Sequence, residues 1–134
     1  RNIFCDPDAA KIVFSSNINK IVAVTINVTS LTSLTEEEVN SLKNNNSKAI
    51  KLVYEAMMKW FKHYEFSSPV MHDPLTVASL IDESIITTHL CHLDVDLSKD
   101  GYTFINDNCP NNVYVSTSLN KEKFFKLFKE TLGI

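Results

Sequence analysis

The sequence of 134 residues predicts an α/β fold with a mixed sheet flanked by helices, on three observations. The run KIVAVTINVTS is rich in β-branched residues and apolar on both faces near its start, as a buried parallel strand is. Amphipathic stretches opened by capping residues recur along the chain. Late in the chain, two strand-like segments face each other across a Lys99-Asp100-Gly101 turn. Strands that first alternate with helices and then pair locally imply a sheet with both parallel and antiparallel neighbours.

In order, Asp6-Pro7 predicts a helix start, because an aspartate accepts from the free N–H groups of a first turn and proline fits there. Ala9, Ala10, Ile12 and Val13 carry that helix to Ser15-Ser16-Asn17. The β-branched run from Lys20 to Ser30 reads as one strand. Thr35 with Glu38 forms a capping-box pattern for a short helix that stops at the Asn44–Asn46 cluster. From Ser47 to about Tyr64 an amphipathic helix sets Ile50, Val53, Tyr54, Met57, Trp60 and Phe61 on one side. Residues 67–73 form a loop that leads His72 and Asp73 into the next helix. THLCHLDVDL and YTFIND then form a hairpin, NVYVSTSL adds a strand, and Asn120 caps a last helix with Phe124, Phe125, Leu127, Phe128 and Leu132. There is no repeat, low-complexity tract or linker.

With 44% hydrophobic and 22% charged residues and a formal net charge of -3, the chain fits one globular domain with a modest core. That balance gives no electrostatic reason to expect nucleic acid or an anionic membrane. No apolar run approaches the ~20 residues of a membrane span, and no signal peptide is visible. The chain opens on Arg1-Asn2, so a missing amino-terminal segment is expected. Cys5, Cys91 and Cys109 are too few and scattered for a disulfide framework or zinc ribbon. Their odd number favours reduced thiols and slightly favours a cytoplasmic setting. Asn27-Val28-Thr29 and Asn45-Asn46-Ser47 match the glycosylation acceptor pattern, a short motif that occurs by chance.

The stretch VMHDPLTVASLID, residues 70–82, has two readings. In one, Asp73 is the N-cap of a helix with Pro74 in its first turn, Leu75, Val77, Ala78 and Ile81 are its core stripe, and His72 is incidental. In the other, an imidazole and a carboxylate side by side at a helix start are a working pair. His63, His89 and His92 face solvent or satisfy local hydrogen bonds on this reading, and HLCH lacks the partners of a zinc site. TEEE is a solvated first helical turn favoured by the helix dipole. The aromatic stripe of Trp60 and Phe61 belongs to the core, with Tyr64 alone kept as a site candidate.

NIFCDPDAAKIVFSS, TINVTSLT, HDPLTVASLID, the hairpin ending GYTFIND, and NVYVSTSLNKEKFFKLF occur in an order that resembles the carboxy-terminal half of the inosine-uridine-preferring nucleoside hydrolases. The resemblance spans nearly the whole chain. It implies a nucleoside-hydrolase-like, Rossmann-like fold that is incomplete here because the amino-terminal half is absent. It implies an enzyme that, in its complete form, hydrolyses the N-glycosidic bond of purine or pyrimidine ribonucleosides. By position, it assigns Asp73 as a calcium ligand, His72 as the group that faces the base and assists its departure, and Asn2 as a ribose contact. Tyr64 lies where family aromatics cover the base. It also implies a small-molecule nucleoside as partner and a homo-oligomer in the complete protein.

Those roles suit the residues: calcium takes six to eight oxygen ligands, and an imidazole with an ordinary pKa of ~6.5 can serve as an acid. The family's Asp-x-Asp-x-Gly-x-Asp-Asp motif, which supplies most calcium ligands and the base, does not occur here. Nor does the glutamate two positions before the ribose-contacting asparagine. Asn27 stands where many members carry Asp, and the hairpin turn is short. The chain alone is therefore expected to be inactive. A catalytically dead relative kept for binding or assembly is the alternative.

Overall fold

The computed structural model describes residues 1–64 and 68–133. Its backbone divides into two compact units, residues 1–25 with 88–117, and residues 26–87 with 118–134.

In the first unit, α1 (Asn2–Cys5) leads directly to α2 (Pro7–Phe14). The Asp6 carboxylate accepts from the Ala9 N–H at 2.9 Å, so the predicted cap forms. α2 packs on β3 (Leu93–Asp96), which pairs antiparallel with β4 (Tyr102–Ile105). The predicted turn joins them: Asp100 and Gly101 both adopt positive φ, at 50° and 78°. A Cβ on Gly101 would stand 2.8 Å from the Ile3 carbonyl oxygen, so only glycine fits.

β1 (Val22–Ala23) runs parallel to β5 (Val113–Leu119), and β2 (Ile86–Cys91) flanks β5 on its other side. The Asn112 N–H donates to Cys91 C=O and the Asn120 N–H to Ile85 C=O. High numbers of one strand thus meet low numbers of the other, so β2 and β5 are antiparallel. The sheet is mixed and helices flank it, as the sequence predicts. The hairpin is shorter than predicted, because the chain changes sheets at His92: residues before it pair with β5 and residues after it with β4.

The predicted Lys20–Ser30 strand is largely wrong. Only Val22–Ala23 are extended in the sheet, and Ile26–Thr29 form a short helix, α3. The physical reason is local to Thr25, whose N–H donates to Ser116 Oγ at 2.9 Å instead of to a neighbouring backbone. Beyond it, the Ser30 N–H closes a helical turn onto Ile26 C=O. Tertiary hydrogen bonding has overridden β-propensity.

In the second unit, Thr35 and Glu38 make the predicted capping box at the start of α4 (Glu36–Asn40), and a 3₁₀ turn follows at Ser41–Asn44. Glu38 also pairs with Lys129 at 3.0 Å. The rest of TEEE is exposed, as predicted. α5 (Lys48–His63) buries Phe61 and half-buries Ile50, Val53, Tyr54 and Met57. Trp60 departs from that stripe and is 44% exposed. α7 (Lys121–Leu132) starts on the predicted cap, with Asn120 Oδ1 accepting from the Lys123 N–H, and buries Phe124 completely.

α6 (His72–Ile81) packs on α3 and α7 through Leu75, Ala78 and Ser79. Two details of the predicted α6 fail. Val77 and Ile81 are 57% and 68% exposed, because the buried side of the helix is filled by its neighbours at 75, 78 and 79. Asp73 is not the cap: the helix begins two residues earlier, with Met71 in the cap position and Pro74 third in the first turn, where its missing N–H costs nothing. Ser67, at the start of the predicted loop, lies outside the described residues.

Candidate active site

The start of α6 is held from beneath by the segment after α3. Thr32, fully buried, donates its hydroxyl to Thr29 C=O at 2.6 Å and accepts from the Met71 N–H at 3.1 Å. The Met71 N–H also reaches Thr32 C=O at 3.2 Å, and the Leu34 N–H donates to Pro69 C=O at 3.0 Å. Ser33 and Val70 bridge in antiparallel register. These bonds fix the backbone that enters α6, and so fix where His72 and Asp73 emerge.

His72 is tied by its ring as well. Its Nδ1 lies 2.7 Å from the Thr29 hydroxyl, and Thr29 is 3% exposed while His72 is exposed. One imidazole nitrogen is therefore engaged beneath the ring, and Nε2 has no partner among the described residues. Asp73 is exposed on the next position, and its carboxylate likewise has no hydrogen-bond or ion-pair partner among the described residues. An imidazole with one nitrogen held and the other open can pass a proton at a defined position. The carboxylate beside it can offer oxygens to a cation or a hydroxyl.

The structure brings His72 and Asp73 together at one helix start. Tyr64, also in the second unit, ends α5 and is half exposed. Its ring contacts Trp60 at 4.3 Å and His63 at 4.6 Å. Asn2 is the exposed first residue of α1 in the first unit. The other histidines behave as predicted: His63 and His89 are exposed, and His92 Nδ1 bonds to Pro110 C=O at 2.6 Å.

Among the described residues, no three His, Cys, Asp or Glu side chains gather where a metal could bind. A calcium ion needs six to eight oxygens, and Asp73 offers one carboxylate, so these residues do not fit the ion by themselves.

The family model described as inosine-uridine preferring nucleoside hydrolase matches residues 1–126. This chain belongs to that family. A probable ribonucleoside hydrolase of Dictyostelium discoideum is 30% identical over 94% of this chain and 42% of its own length. Among solved structures, the nucleoside hydrolase fold matches a purine-preferring ribonucleoside hydrolase from Gardnerella vaginalis with a TM-score of 0.87 and 27% identity. That match covers 98% of this chain and 45% of that one. A plant nucleoside hydrolase gives 0.84 and 28%, with 98% and 46% covered. The nucleoside hydrolase chain thus spans less than half the length of the relatives it matches.

Sequence reasoning selected His72 and Asp73 but missed Thr29 and Thr32. Both lie in TINVTSLT, which carries part of the resemblance. Their contacts with His72 and Met71 join residues 43 and 39 positions apart, which no local pattern reveals.

Proposed function

We propose that this chain is part of a ribonucleoside hydrolase, which adds water across an N-glycosidic bond to release ribose and a free purine or pyrimidine base. The observation that carries the reading is the start of α6, where His72 is held through Nδ1 and, among the described residues, its Nε2 and the Asp73 carboxylate beside it have no partner. Family membership over residues 1–126 supports it. As the bond breaks, negative charge develops on the base and positive charge on the ribose, as in other glycoside hydrolyses. In this reading His72 assists the departing base through a hydrogen bond from Nε2 that stabilises the negative charge developing there.

Asn2 is proposed as a ribose contact and Tyr64 as a face for the base. We further propose that Asp73 is one oxygen donor to a calcium ion shared with donors in the rest of a family-length protein. The same reading makes the complete protein a homo-oligomer, with a small-molecule nucleoside as its partner.

The test is base release from inosine and uridine, with and without a chelator. Residues 1–134 alone are expected to release none. A protein extended to the family's length is expected to release base in a calcium-dependent way that Asp73→Ala and His72→Ala each impair. Chelator-resistant turnover by residues 1–134 would sink the reading, as would full activity of both variants.

A further inference from the structure

The Thr29 hydroxyl is buried beneath His72 and must place its single proton on some acceptor. Among the described residues two are in reach: Ile26 C=O at 3.5 Å and His72 Nδ1 at 2.7 Å. A hydroxyl donor prefers heavy-atom distances of about 2.5–3.0 Å, so the first is too long to compete. The Thr29 carbonyl is engaged separately, by the Thr32 N–H at 3.0 Å and the Thr32 hydroxyl at 2.6 Å. The side chain is thus free to serve the imidazole alone, and the backbone that carries it is pinned.

A hydroxyl that donates to Nδ1 requires a lone pair there. The neutral imidazole must then carry its proton on Nε2, the nitrogen that faces outward. We propose that Thr29 is a positioning residue that fixes the His72 ring and selects its Nε2–H tautomer. The consequence is chemical: the open nitrogen of His72 is presented as a donor. This deepens the hydrolase reading and rests on it for its meaning, since a hydrogen bond from Nε2–H can stabilise the negative charge that develops on a departing base. The tautomer itself does not depend on that reading and can be measured without a nucleoside.

The arrangement has a second consequence for geometry. α3 lies against α6, and Thr29 is its last residue, so a side chain on one short helix sets the ring on the other. Valine at 29 would keep the shape of threonine and lose the hydroxyl. Serine would keep the hydroxyl and lose the methyl.

The experiment is long-range proton–nitrogen correlation spectroscopy on residues 1–134 with ¹⁵N-labelled histidine. It is run at a pH alkaline enough that the spectrum shows neutral rings. His72 is assigned among the four histidines by comparison with His72→Gln. In the wild type, Nδ1 of His72 is expected in the pyridine-like range, displaced upfield by the hydrogen bond it accepts, with Nε2 pyrrole-like. Thr29→Val should move Nδ1 downfield as that bond is lost, and Thr29→Ser should restore the wild-type position.

A wild-type His72 protonated on Nδ1 overturns the proposal directly, even if Thr29→Val does not fold. So does a Thr29→Val spectrum identical to wild type in a folded chain. If the tautomer is as expected while the family-length protein releases no base, the positioning stands and the hydrolase reading fails. If base is released but the tautomer is wrong, the reverse holds.

Discussion

Replacing Thr32 by valine removes one hydroxyl from the place where the chain turns into α6. Thr32 is fully buried, and valine has nearly its shape, so no cavity opens and the cost is that of hydrogen bonds alone. The hydroxyl makes two bonds, to Thr29 C=O and from the Met71 N–H. Neither backbone partner is orphaned by its loss. The Met71 N–H retains Thr32 C=O at 3.2 Å, and Thr29 C=O retains the Thr32 N–H at 3.0 Å. Two ordinary hydrogen bonds at about 0.5–1.5 kcal/mol each, without a full desolvation penalty, set the expected loss at about 1–2 kcal/mol after the apolar gain of valine is allowed for. With a urea slope of about 2 kcal/mol/M, the midpoint should fall by about 0.5–1 M. Trp60, the single tryptophan, lies in the same unit as Thr32, so its fluorescence follows the right part of the molecule. Thr32→Ser, which keeps the hydroxyl, should retain the Met71 bond in amide hydrogen exchange. A Thr32→Val midpoint at or above wild type would refute the claim that this hydroxyl holds the entry to α6.

The two sides of α6 should respond differently to truncation: Leu75→Ala, at a fully buried position, should cost about 2–5 kcal/mol in urea unfolding. Leu80→Ala, where the side chain is 78% exposed, should stay within about 0.5 kcal/mol, and equal losses at both positions would show that the helix is packed the other way round. A third expectation concerns acid. Burial works to raise the Glu38 pKa, but bonds from the Thr35 N–H, Lys129 and the Thr35 hydroxyl outweigh it and hold the carboxyl below its ordinary value. A carboxylate with a lowered folded pKa adds stability above its unfolded value of about 4.3, and that stability is lost as pH falls through the folded value. The side chain is partly exposed, so the effect is of the order of a surface pair, about 0.2–1 kcal/mol. Glu38→Gln keeps a capping-box partner, and its stability should fall less between pH 7 and pH 3 than that of wild type. Parallel curves for the two proteins would contradict the assignment.

Several elements were legible because their causes lie within a few residues. Asp6, Thr35 with Glu38, and Asn120 each meet a backbone N–H three positions ahead, so a cap is a local event and its residues announce it. The Asp100-Gly101 turn is similar, since its positive φ angles select residues that tolerate them. The periodic apolar residues of α5 and α7 located those helices, and the ordered motifs pointed to the family that the match over residues 1–126 confirms.

What local pattern could not decide was every choice made by a partner far along the chain. Ser116, 91 positions from Thr25, takes the N–H that would have extended the strand, and a β-branched run becomes two strand residues and a helix. Neither side of α6 is marked in the sequence as inner or outer, because both carry apolar residues; only packing on α3 and α7 buries Leu75 and leaves Val77 and Leu80 out. His72 and Asp73 are adjacent in sequence and could be named from it. The bond that turns one of them into an oriented donor comes from Thr29, and the backbone that carries both is set by Thr32. Periodicity reports which residues repeat on a face. It carries no information about which distant hydroxyl a ring nitrogen or a backbone N–H will meet, and for this chain those meetings shape the site.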